Sequence, residues 1–245
     1  MNKWVNKWIR VYLKCYINLI LYHRNVYPEV SFDITTYQGF NLPQSIPINR
    51  HVGLQNYIEE LIEDLLSKIL KIYRFSICIT SFEDNICVEK YVLDFGEFKH
   101  IENIGTLQES EVFDEFRSSL NSLISILEKM PPISDDTVTF EATINVIDMQ
   151  LGENSQDIST ITNEEQKLEY ERDTNWTKSE EDDNNGIHLS KSDSLYLPKT
   201  KMTSIVGCDV GPLIIYAYCE QLLTADERVN KIYPTSDTPE LISSI

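Results

Sequence analysis

Between about Gly152 and Ser194 the chain loses the means to bury itself. Polar and acidic residues dominate this stretch, and the run Glu180–Gly186 offers nothing to a hydrophobic core. From Asp148 to Lys199 there are 13 acidic residues against 5 basic ones. Apolar, periodic sequence lies before it. Apolar character returns at Leu195–Pro198 and continues through Thr200–Val206 and Pro212–Tyr218. Any fold this chain adopts has to carry a long polar excursion between its main body and two late apolar segments. One large aromatic, Trp176, sits in the middle of that excursion.

The main body reads as helices and hairpins. Trp4, Trp8, Val11, Cys15 and Leu19 recur at the spacing of one helix face, with Lys3, Lys7, Arg10 and Lys14 one position ahead. This helix is expected to end near Tyr22–Tyr27, before Pro28. Residues 28–53 carry three prolines and two glycines and read as an irregular connection with short strands. Leu54, Tyr57, Ile58, Leu61, Ile62, Leu65 and Ile69 make a second helical stripe. Tyr73–Thr80 and Ile86–Phe95 alternate as strands around the turn-forming Glu83–Asn85, an antiparallel hairpin. A third helix is predicted over Ser110–Met130, stopped by Pro131 and Pro132. Val138–Val146 alternates most clearly, with one face expected to be buried and one wet. The last two apolar segments read as strands around a Gly207–Gly211 turn, although the second also fits a helix. Separate helices and hairpins without βαβ repetition give an α+β fold, helices on one face of an antiparallel sheet. The residues from about 226 to 245 read as a loose tail.

Composition narrows the function. The net charge of −18, from 39 acidic and 21 basic side chains, argues against a duplex-DNA binder. The exception is local: residues 1–28 hold no Asp or Glu but five basic residues, Lys3, Lys7, Arg10, Lys14 and Arg24. The five cysteines form no C-x-x-C pair and mostly sit in apolar runs, which suits a reducing compartment. The four histidines show no ligand spacing, and no metal or cofactor is expected. The longest uncharged run near the amino end, Cys15–Tyr22, is far short of the roughly 20 residues a membrane span needs. Phosphate-binding loops, zinc-protease signatures and nucleophile elbows are absent, so catalysis has no support in the sequence.

Four stretches carry a family resemblance. Ile17–Pro28 (INLILYHRNVYP), Val88–Phe95 (VEKYVLDF), Asp173–Trp176 (DTNW) and Leu197–Ser204 (LPKTKMTS) resemble, in order, segments of the HORMA-domain accessory subunits of the translesion DNA polymerase zeta, fungal members above all. The resemblance implies three central helices on an antiparallel sheet plus a C-terminal safety belt. In that reading residues 1–147 are the HORMA core, 148–225 the belt region with its acidic loop, and 226–245 the tail. It implies a non-catalytic nuclear adaptor whose belt closes over a proline-containing peptide of the polymerase's catalytic subunit. It also implies a bridge to the C-terminal domain of a second, scaffolding translesion polymerase, a deoxycytidyl transferase.

Residue by residue, Tyr57 and Trp176 match peptide-contacting positions, Leu195 and Tyr216 the second-partner interface, and Arg117 a position used when two HORMA domains pair. Three of them have a plainer alternative. Tyr57 falls on an apolar stripe and fits a core residue, Trp176 equally fits a pin holding the belt, and Arg117 fits an ordinary exposed helix arginine. Two other functions stay open at this level: a spindle-checkpoint or meiotic HORMA adaptor with a different closure peptide, and direct nucleic-acid binding through the basic amino-terminal helix.

Overall fold

The computed structural model describes residues 3–35, 46–69, 71–96, 108–146, 176, 199–211, 213–223 and 231–233. The chain divides into two compact units, Met1–Asn145 with Lys199–Ile245, and Val146–Pro198.

Helix α1 spans Lys3–His23. It stops there because Asn25 turns left-handed at φ 52°. The Val26 N–H then reaches Leu21 O at 3.1 Å and the Asn25 N–H reaches Tyr22 O at 3.1 Å, closing the last turn. The buried side of α1 keeps Cys15 and Leu19 of the stripe read from the sequence but departs from its amino half. Val5, Ile9, Tyr12, Leu13, Tyr16, Ile17 and Ile20 are fully enclosed, whereas Trp4, Trp8 and Val11 are half-buried. The carboxyl half is apolar all round, and it packs against α3, β2 and α2 together.

Helix α2 spans Val52–Lys68, capped by His51, whose Nδ1 accepts the Leu54 N–H at 3.3 Å. Leu54, Ile58, Leu61, Ile62, Leu65 and Leu66 turn inward, each contributing about 1.5–3 kcal/mol by leaving water. Its Lys68 and Asp64, one turn apart, form a nearly buried ion pair. Helix α3 spans Glu109–Leu127, with Glu109 and Glu111 in its first turn, where the helix dipole favours carboxylates. Val112, Phe116, Leu120, Leu123 and Leu127 are buried along it. It ends three residues before the expected Met130. Met130 precedes Pro131, and a residue before proline is driven out of helical geometry. Tyr12 ties α1 to α3: its ring stacks on Phe116 at 4.5 Å, and its hydroxyl lies 2.9 Å from Ser119 Oγ.

The main sheet has five strands in the order β5-β3-β4-β7-β6. Strands β3 (Ile72–Ser81) and β4 (Cys87–Asp94) form the expected hairpin, with Asn85 left-handed at φ 53° in the turn. Ile77 faces Tyr91 across it. Strand β7 (Leu213–Leu223) pairs antiparallel with the far side of β4, Cys219 against Tyr91, and β6 (Lys199–Val210) pairs antiparallel with β7. The segment that also fitted a helix is therefore a strand. Being laddered on both sides satisfies its backbone, which pattern alone does not reveal. The turn joining β6 to β7 is tighter than expected, because the strands continue past Gly207 as far as Val210 and Leu213. Gly211 supplies a left-handed corner at φ 56°, and Gly207 lies in an irregularity of the ladder. A Cβ on Gly207 would meet Ile215 O at 2.0 Å, so only glycine fits there.

Strand β5 (Val138–Val146) ends the sheet on the other side. It was expected to have one buried and one wet face. Only Val138 is buried, and most of the rest is half-buried, as an end strand flanked on one side requires. A separate two-stranded sheet, β1 (Phe32–Thr35) with β2 (Ile46–Asn49), supplies the short strands expected within residues 28–53. The tail differs from expectation at Lys231–Tyr233, where Ile232 is buried.

Candidate peptide-binding edge

Strand β5 carries Phe140, and two tyrosines from other elements meet it. Tyr57 of α2 approaches edge-on with ring centroids 6.0 Å apart, and Tyr27, just beyond α1, does the same at 6.3 Å. Such perpendicular pairs add roughly 0.5–1.5 kcal/mol beyond area burial. Tyr57 is 45% exposed, which corrects its reading as a core residue: the α2 stripe closes around Leu54, Ile58 and Leu61 and leaves Tyr57 outside it. Burial raises both phenols above their ordinary value of 10, for Tyr57 with help from Tyr27, so both hydroxyls stay protonated and able to donate. On the other face of β5, Thr143 Oγ1 lies 3.9 Å from Cys78 Sγ of β3. No described strand lies outside β5, so the end of the sheet bears an aromatic rim.

The opposite end is arranged differently. The Val206 N–H of β6 donates to Ser122 Oγ of α3 at 3.0 Å, and the Asp209 N–H to Glu115 Oε2 at 3.4 Å. Tyr216 of β7 is 51% exposed, on an open face that also presents Val206 and Met202. Arg117 of α3 is half-buried rather than an ordinary surface arginine, and its enclosed Nε makes no hydrogen bond among the described residues. Trp176 is half-buried within the Val146–Pro198 unit, and Leu195 lies outside the described residues. The structure thus gives Tyr57 and Tyr216 to different ends of one sheet.

Part of the basic stripe of α1 is engaged within the protein. Arg10 and Lys14 both reach Glu59 of α2, Arg10 at 3.4 Å, and Lys7 lies over the Trp8 ring at 5.2 Å. Among the described residues no cluster of metal-ligating side chains occurs. None of the described helices is long and apolar enough to cross a membrane.

The model of the HORMA domain matches residues 5–177. The chain belongs to the HORMA-domain family. A curated relative, the DNA polymerase zeta processivity subunit of Saccharomyces cerevisiae, is 54% identical over 244 residues, 99% of this chain and 98% of that protein. Among solved structures, a chain of the mitotic checkpoint complex aligns with TM-score 0.60 at 14% identity, covering 90% of this chain and 98% of that one. Caenorhabditis elegans HTP-2 bound to the HIM-3 closure motif aligns with TM-score 0.57 at 9% identity, covering 89% of each. These distant structures share the fold, and the expected α+β architecture of three helices on a largely antiparallel sheet holds for this HORMA chain.

Sequence reasoning missed Tyr27 and Phe140 as parts of the HORMA rim. Phe140 was placed on the buried side of an alternating strand, and Tyr27 was taken as the end of a helix. No local pattern marks either. They meet only because the end of α1, α2 and β5 converge.

Proposed function

We propose that this HORMA protein is a non-catalytic accessory subunit of DNA polymerase zeta, acting in the nucleus. In this reading an extended, proline-containing segment of the polymerase's catalytic subunit adds to the outer edge of β5, and the belt closes over it. Adding a strand supplies main-chain hydrogen bonds, and the aromatic rim supplies side-chain selectivity. The observation that carries the reading is the β5 edge itself: a terminal strand bordered by Tyr27, Tyr57 and Phe140. The near-full-length likeness to a polymerase zeta processivity subunit supports the choice of partner. Trp176 is assigned to the enclosure, as peptide contact, belt pin or both.

A second interface, for the C-terminal domain of a scaffolding deoxycytidyl transferase, is assigned to Tyr216 on the open face of the C-terminal hairpin and to Leu195, which lies outside the described residues. Arg117, half-buried with an enclosed Nε that makes no described hydrogen bond, is assigned to pairing with a second HORMA domain. The test is co-expression with fragments of the catalytic subunit. Recovery of a proline-bearing fragment is expected, and Trp176→Ala should shorten its residence time. Recovery of checkpoint or meiotic-axis proteins in place of polymerase subunits would overturn the assignment.

A further inference from the structure

Strand β4 begins on an irregularity of its ladder. Ile79 of β3 stands opposite Glu89, but the next residue, Thr80, stands opposite Cys87, so Val88 is left over in that ladder as a bulge. The bulge decides which way Cys87 points. By simple alternation Cys87 would share a face with Glu89 and Tyr91, the face on which Glu89 meets Arg24 of α1. Paired with Thr80 instead, it turns to the other face, where Cys78 stands opposite Lys90. The two thiols become diagonal neighbours across the hairpin and hydrogen-bond to each other.

Each sulfur has further company. Cys87 Sγ lies 3.3 Å from Glu89 O, and Cys78 Sγ lies 3.9 Å from Thr143 Oγ1 of β5. These surroundings divide the roles. The hydrogen bond from Cys87, with Lys90 and Thr143, holds the Cys78 thiol below its ordinary value, against burial and Glu141. The same bond, then burial and the neighbouring Cys78, pushes the Cys87 thiol up. Cys78 is therefore the sulfur that ionises more readily, and Cys87 the one that keeps its proton. Cys87 is half-buried and opens the pair toward solvent, whereas Cys78 is 6% exposed. Cys15, Cys208 and Cys219 are buried, and burial raises their thiols.

We infer that Cys78 and Cys87 form a redox-modification site, at which a peroxide converts the two thiols into a disulfide strapping β3 to β4. The Cys78 sulfur attacks one peroxide oxygen. The O–O bond breaks, the thiol proton goes to the departing oxygen, and water leaves behind a sulfenic acid. The Cys87 sulfur then attacks the Cys78 sulfur. The S–O bond breaks, and the hydroxyl takes the Cys87 proton and leaves as a second water. Two electrons pass from the sulfurs to the peroxide, and a dithiol reductant restores the pair by exchange. Through Thr143 the strap adjoins β5, the strand assigned to peptide addition, but the oxidation does not depend on that assignment.

Peroxide treatment of the full, folded chain tests it. Brief exposure to hydrogen peroxide, followed by blocking with N-ethylmaleimide and digestion, should yield a peptide pair joined through Cys78 and Cys87. It should be lighter by two hydrogens than its reduced parts and separated by dithiothreitol. Cys15, Cys208 and Cys219 should stay reduced. Cys87→Ser should lose the link and leave Cys78 as a sulfenic acid, captured as its dimedone adduct. Cys78→Ser should lose both the link and the adduct. Absence of the link in the folded parent chain overturns the inference. So does a link that forms only after unfolding in urea, or oxidation of all five cysteines alike.

Discussion

The two ends of the main sheet face the same hazard in different ways. A terminal strand presents unpaired N–H and C=O groups that invite another chain. At the β6 end, α3 answers with side chains: Ser122 takes the Val206 N–H and Glu115 takes the Asp209 N–H. At the β5 end no described strand or helix ladder does so, and the edge is bordered by Tyr27, Tyr57 and Phe140. One end is closed by the protein's own polar groups. The other is finished with rings that gain from being covered.

Four substitutions probe that contrast. The largest effect belongs to the closed end. Gly207→Ala forces a methyl onto Ile215 O and should cost about 3 kcal/mol of folding stability, read by urea denaturation. A loss below about 1 kcal/mol would show that the hairpin relaxes freely and that its fit is not specific. At the receptive end, Tyr57→Ala should weaken binding of a proline-bearing segment by roughly 2 kcal/mol in titration calorimetry. Because Tyr57 is 45% exposed, the same change should cost folding stability little more than the roughly 0.5–1.5 kcal/mol of its ring contact. A large stability loss with intact affinity would return Tyr57 to the core. Ser122→Ala removes the acceptor of the Val206 N–H and should cost about 1 kcal/mol, seen as faster exchange of that amide. It should not touch peptide affinity. Smallest of all, Tyr216→Ala should change peptide affinity by less than about 0.5 kcal/mol while weakening the second partner, since separated sites act independently. A matching loss at both sites would dissolve the distinction between the two ends.

Much of the architecture was legible before folding. The periods of α2, α3, the β3–β4 hairpin and β5 are carried by apolar spacing, which is local information. The errors fell where partners matter. The α1 stripe was drawn through Trp4, Trp8 and Val11, but the enclosed side runs through Val5, Ile9 and Tyr12. A helix that is apolar almost all round has no pattern to show which side meets α3. Tyr57 fits the α2 stripe by spacing and yet projects beside β5, because a helix face is wider than the groove it fills. Arg24 read as one of five amino-terminal basic residues, and nothing nearby in the sequence announces its partner Glu89. Lys231–Tyr233 sat inside a stretch dismissed as tail, where three residues carry too little apolar surface to signal docking.

By itself, then, the sequence determined that this chain makes helices and hairpins and that its late apolar segments can join a sheet. Those outcomes follow from the spacing and composition of residues near one another in the chain. Tertiary structure alone decided that β7 docks on β4, that β5 is left at an end, and which rings surround it. Those depend on residues far apart in sequence meeting across the sheet, and a one-dimensional pattern holds no term for such contacts.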